Sequence, residues 1–86
     1  MKNEAFGKNL PEKSINAGAV QVTIWRNEAK TRDGQNAEFQ TISMQRSYKD
    51  AQGSWQKSNT LRVNDLPKAA LALTRAYEYL VFRDEQ

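Results

Sequence analysis

The chain contains no cysteine and no histidine. The first absence removes disulfides and thiolate nucleophiles, and the second removes the commonest general base. Together they exclude a Cys/His zinc site. No apolar run approaches the ~18 residues of a membrane span. The opening MKNEAFGKNLPEK lacks the apolar core of a signal peptide, which points to the cytoplasm. P-loop and GxGxxG patterns are missing. Of the carboxylates, Glu28, Asp33, Glu38 and Asp50 fall in or beside loops, Asp65 reads as a helix cap, and Asp84 and Glu85 are terminal. The chain therefore reads as non-catalytic, with no cofactor, no metal and no membrane partner.

What is present suits one small domain. The sequence has 86 residues, 38% hydrophobic and 27% charged. So short a chain buries a small share of its surface, and without disulfides or zinc it is expected to gain core by oligomerising. Net charge is +3, which permits nucleic-acid binding without implying it. The charge is unevenly placed: +1 over residues 1–18, +3 over 19–64 and −1 over 65–86.

Residues 1–18, rich in Asn, Lys, Glu, Gly and Pro without a clear period, read as a flexible arm on which Phe6, Leu10 and Ile15 could dock. The remainder, 19–86, reads as a single α+β domain. In residues 19–27, Val20, Val22 and Ile24 alternate with Gln21, Thr23 and Trp25, the period of a half-buried strand. Residues 28–37 break the pattern around Asp33-Gly34 and read as a long hairpin loop. In the next strand, 38–49, Ile42, Met44, Arg46 and Tyr48 share one parity and Thr41, Ser43, Gln45 and Ser47 the other. A turn at Asp50–Gly53 leads to 54–64, one long strand or two short ones. Asp65–Phe82 then reads as a helix capped by Asn64 or Asp65, with Pro67 in the first turn. Its stripe Leu66, Ala70, Leu73, Tyr77 and Leu80 is expected against the sheet. The fold expected is an antiparallel sheet of three or four strands followed by one C-terminal helix.

The sheet face turned from the helix carries the functional signal. It should present Gln21, Thr23 and Trp25, then Phe39, Thr41, Ser43, Gln45 and Ser47, and, if the alternation runs on, Gln56, Ser58, Thr60 and Arg62. None is acidic, and Lys30, Arg32, Lys49 and Lys57 surround them. Exposed rings stack on unpaired bases, cations neutralise phosphates, and hydroxyls and amides bond sugar or base edges. The same Ser, Thr and Gln are ordinary on a solvated face. Trp25 could equally cover an edge, Phe39 mark a bulge, and Tyr48 and Trp55 form a structural cross-strand pair.

The helix offers a second face. Leu71, Arg75, Tyr79 and Phe82 lie opposite the stripe meant for the sheet. A helix apolar on both sides is expected to be buried twice, here in a homodimer.

The order of these features resembles the single-stranded-DNA-binding transcriptional coactivator family known as positive cofactor four, with its Whirly and Pur-alpha relatives. The resemblance rests on Arg46-Ser47-Tyr48, Asp50-Ala51-Gln52-Gly53, Leu61-Arg62-Val63-Asn64 and the following helix, and covers about residues 19–82. It implies a ββββα unit that pairs through its helix and holds single-stranded DNA on a curved sheet. It also implies binding roles for Arg46 and Tyr48, and for Trp55 and Lys57. Arg46 and Tyr48 share parity with Ile42 and Met44, so they reach a bound strand only where the sheet curls past the helix.

Two functions follow as expectations. One is a dimeric, non-catalytic binder of single-stranded DNA or RNA with little sequence preference, using Thr23, Trp25, Lys30, Arg32, Thr41, Ser43, Gln45, Arg46, Tyr48, Lys49, Trp55, Lys57 and Arg62. The other is a protein-interaction module with no nucleic-acid role, which the modest charge favours.

Overall fold

The structure, a computed structural model, describes residues 9–83. Strands β1 (Asn9–Ala17), β2 (Val20–Lys30), β3 (Asn36–Lys49) and β4 (Trp55–Ser58) form one antiparallel sheet in that order. A single 3-10 turn (Val63–Asp65) leads into α1 (Leu66–Phe82). The fold is thus the expected α+β arrangement, four strands and then one helix. Among the described residues, no helix is long and apolar enough to cross a membrane.

The fourth strand does not come from the stretch expected to supply it. Residues 9–17, read as part of a flexible arm, form the edge strand β1; residues 1–8, with Phe6, lie outside the described residues. Alternation in β1 is hidden by a bulge between Pro11 and Lys13, where the register with β2 slips. Pro11 is tolerated because an edge strand can spare one ladder donor. Gly18 and Ala19 close a two-residue turn between Ala17 and Val20. Gly18 has φ of +60°, which such a tight hairpin needs and glycine adopts without strain.

The loop expected over 28–37 shrinks to residues 31–35, because β2 and β3 pair as far as Lys30 and Asn36. Gly34 N–H donates to the Thr31 carbonyl at 3.0 Å, and Thr31 N–H to that of Gln35 at 2.7 Å. Of the one long strand or two short ones expected over 54–64, only Trp55–Ser58 forms, and Thr60 and Arg62 belong to an irregular connection instead.

Val20, Val22 and Ile24 are fully buried under α1, as their alternation predicts. The helix meets them with a different face from the one expected. Ala69, Ala72 and Ala76 point into the core, with Tyr79 and Leu80 packed beside them. Leu66, Ala70, Leu73 and Tyr77 are exposed, so the helix is turned by about a quarter revolution. Small residues let the helix axis come close to the β-branched face of β2, and that packing outweighs the gain from burying the leucines.

Two polar ties fix the helix ends. At the start, Asp65 is buried; its Oδ2 accepts from the Arg62 backbone N–H at 2.7 Å and lies 3.5 Å from Nε of Arg46 on β3. It stands at the N-terminal boundary of α1, but its side chain does not cap the helix. Hydrogen bonds from the Arg62 side chain and backbone hold its carboxyl below the usual range, with help from the Arg46 charge. At the far end, Glu12 in the β1 bulge accepts from Tyr79 Oη at 3.0 Å and from Arg83 Nη1 at 2.6 Å.

Candidate nucleic-acid interface

Residues paired across an antiparallel ladder point to the same side. The pairs Gln21↔Gln45, Thr23↔Ser43, Trp25↔Thr41 and Asn27↔Phe39 therefore share the face turned away from α1. Ser47↔Lys57 and Lys49↔Trp55 continue it onto β4. No acidic residue lies among these twelve. Of the residues expected to bind, the structure brings together Thr23, Trp25, Thr41, Ser43, Gln45, Lys49, Trp55 and Lys57.

The parity of β4 reverses the expectation. The turn after Lys49 pairs Lys49 with Trp55, which puts Trp55 and Lys57 on the open face and Gln56 and Ser58 on the helix side. Asp50 sets this turn. Its Oδ1 accepts from the backbone N–H of Ser54 at 2.9 Å and of Gln52 at 3.0 Å, and its Oδ2 accepts from Gln56 Nε2 at 3.1 Å. These bonds, that from Ser54 foremost, hold its carboxyl below the usual range. Tyr48 faces Gln56, not Trp55, so no Tyr48–Trp55 pair forms.

Several side chains on the face are already oriented. The Trp25 indole N–H donates to Ser43 Oγ at 2.9 Å, which lays the ring toward β3. Asn27 Nδ2 donates to Thr41 Oγ1 at 3.0 Å. Lys57 reaches past β3 and donates to Gln21 Oε1 at 3.0 Å. Lys49 Nζ lies 5.4 Å from the Trp55 ring centroid, a cation–π arrangement. Trp55 is 68% exposed and Phe39 48%, while Trp25 is half-buried. Phe39 and Lys49 are ten residues apart on β3, so the aromatic stations stand roughly 33 Å apart at strand rise. Between them run Thr41, Ser43, Gln45 and Ser47.

The other expected residues lie elsewhere. Arg46 is on the helix side, where its Nε donates to the Thr60 carbonyl at 3.0 Å and its guanidinium sits 5.1 Å from the Tyr48 ring centroid. Arg62 pairs with Asp65 in the connection to α1. Lys30 and Arg32 mark the tip of the β2–β3 hairpin, with Lys30 Nζ donating to Asn36 Oδ1 at 3.3 Å. On the helix, Leu71, Arg75 and Phe82 are exposed, but Tyr79 is turned into the core edge and bonded to Glu12. Asn27 is the member of the face that sequence reading named neither on the face nor among the binding residues; the signal was β2 continuing its alternation beyond Trp25.

Among the described residues, no group of His, Cys, Asp or Glu is placed to hold a metal ion. A scan of protein-family models, and searches of curated proteins and of solved structures, return no match for this chain.

Proposed function

We propose that this protein binds single-stranded nucleic acid without catalysing a reaction, with the strand laid along β3 on the face turned from α1. The observation that carries the reading is the acid-free track from Phe39 and Trp25 at one end to Trp55, Lys49 and Lys57 at the other. Rings at both ends offer stacking to unpaired bases, worth ~1–3 kcal/mol per base. The hydroxyls and amides between them bond phosphate, sugar or base edges with little sequence demand. A track of roughly 33 Å accommodates a handful of nucleotides, within the ~4–16 that single-strand grooves hold. The four-strand, one-helix order agrees with what the resemblance to the positive-cofactor-four family implies, and this inclines the proposal toward DNA.

Titration of the tryptophan fluorescence with single-stranded and duplex oligonucleotides of equal length, at two salt concentrations, tests it. Single strands should quench the emission and bind more tightly than duplex, whose bases are already stacked on one another. Failure of both to perturb the emission at ~50 mM salt, where electrostatic binding is strong, would leave this face to a protein partner instead.

A further inference from the structure

The helix covers only part of its side of the sheet. It lies over β1 and β2. From β3, Met44 packs against the core, but Ile42, level with fully buried Ile24, stays 44% exposed. Beyond it, β4 pairs with β3 only from Arg46 to Lys49, so among the described residues the outer edge of β3 between Asn36 and Gln45 has no neighbouring strand. A trough thus runs beside the helix, with Ile42 and Met44 in its floor between Gln40 and Arg46.

The flank of α1 beside this trough is apolar too. Arg75, Glu78 and Tyr79 line the β1 side of the helix together with Lys13, Ser14 and Ile15, and Ala69, Ala72 and Ala76 point into the core. At about 100° per residue, the remaining flank, toward β3, carries Leu66, Ala70, Leu73, Tyr77 and Val81. Leu66 is 55% exposed, Leu73 40%, Tyr77 66% and Val81 43%. None of these residues is charged, nor are Ile42 and Met44.

We infer that a second copy of this chain covers the trough, related by a two-fold axis that lays the helix flank of each protomer over β3 of the other. Ridge and trough lie side by side on one protomer, so the surface is complementary to itself, as a two-fold interface requires. With Ile42, the exposed parts of the flank leucines, Tyr77 and Val81 amount to roughly 450 Å² of surface, most of it apolar, a patch of the size that marks interaction sites. That is over half of the ~800 Å² each partner contributes to a stable complex, and the open edge of β3 can supply more. The protomer also needs the burial: its largest fully buried apolar side chains are Val20, Val22 and Ile24. The interface therefore lies on the opposite flank from Leu71 and Phe82, and Tyr79 takes no part. Both open sheet faces stay outside the dimer, so the inference stands apart from the nucleic-acid reading.

Sedimentation at micromolar concentration tests it with three variants. The wild-type chain should sediment at twice its 9.8 kDa mass. Tyr77→Glu and, independently, Ile42→Lys should each give monomers with unchanged far-ultraviolet dichroism, because both positions are exposed in the protomer and an unpaired charge is costly once buried. Phe82→Glu should remain a dimer. Should Tyr77→Glu fail to fold, Ile42→Lys reads the same interface from the sheet. A monomeric wild type, or dissociation by Phe82→Glu while Tyr77→Glu stays dimeric, overturns the inference.

Discussion

Tyr79, near the end of α1, donates its phenolic proton to Glu12 in the bulge of β1, 67 residues earlier in the chain. Arg83 meets the same carboxylate. The bulge that disguises β1 in the sequence is also what aims an acidic side chain at the helix, so the irregular strand and the helix terminus depend on each other.

This tie predicts an acid-sensitive stability. Burial alone would raise the Glu12 carboxyl, but hydrogen bonds from Tyr79 and Arg83 and the Arg83 charge outweigh it and hold it below the usual range. The same bond pushes the Tyr79 hydroxyl up. A depressed carboxylate means that the unfolded chain takes up protons first as pH falls. The stabilisation is complete above the ordinary glutamate value and is lost as pH drops through the folded one. Glu12→Gln should lower stability by about 1–2 kcal/mol at neutral pH and flatten the fall in Tm below about pH 4.5. Thermal melts between pH 3 and 7 check this; an unchanged slope would remove Glu12 from the account.

Arg46 and Asp65 should behave as a unit. Asp65 is buried, and Arg46 joins it to the Thr60 carbonyl and the Tyr48 ring. Removing one partner takes an opposite charge from the other, although Asp65 keeps its bonds from Arg62 and Arg46 its bond to Thr60. Arg46→Met and Asp65→Asn should each lower Tm, and the double variant should lose less than the two losses added. Additive losses would show the two side chains to be independent.

Gly18 tests the β1–β2 turn. Its φ of +60° would place a Cβ 2.8 Å from Cδ of Lys68. The lysine chain is flexible and can move aside, so backbone strain should dominate, at roughly 1–2 kcal/mol for an ordinary residue in this conformation. Gly18→Ala should destabilise by about that amount, Gly18→Asn by less, and Lys68→Ala should not rescue Gly18→Ala. Denaturant melts of the four variants decide it.

Much of the fold was readable where period and packing agree. Val20, Val22 and Ile24 alternate strictly and are the buried residues of β2. The helix span was legible from Pro67 and its apolar spacing, but its orientation was not. Leu66, Leu73 and Tyr77 make the more hydrophobic stripe, yet close approach selected Ala69, Ala72 and Ala76. β1 was missed because Pro11, the bulge and a lysine opposite Ile24 leave no period to read; it is a strand because β2 templates it. On the open face, Thr23, Trp25, Thr41, Ser43 and Gln45 were readable from alternation within their strands. Trp55 and Lys57 share the face because the Asp50 turn sets a register that alternation alone does not reveal.

The division between open face and helix side governs how binding should respond to substitution. Among the described residues, Lys49 and Lys57 are the cations on the open face, so few phosphates are neutralised and the salt dependence should be shallow. Each phosphate contact on a single strand adds roughly 0.7 to the slope of log affinity against log salt. Lys49→Gln and Lys57→Gln should each remove about that much, whereas Arg62→Gln, paired with Asp65 away from the face, should leave the slope unchanged. Trp55→Ala should weaken binding by ~1–3 kcal/mol at every salt concentration, because stacking releases no counterions. Oligonucleotide length provides the geometric check. A trimer is too short to touch both Phe39 and Trp55, so affinity should rise with length until the strand spans the roughly 33 Å between them, then level off. Trp55→Ala should erase that rise. A trimer that binds as tightly as a dodecamer would mean that one aromatic station suffices and that the strand does not follow β3.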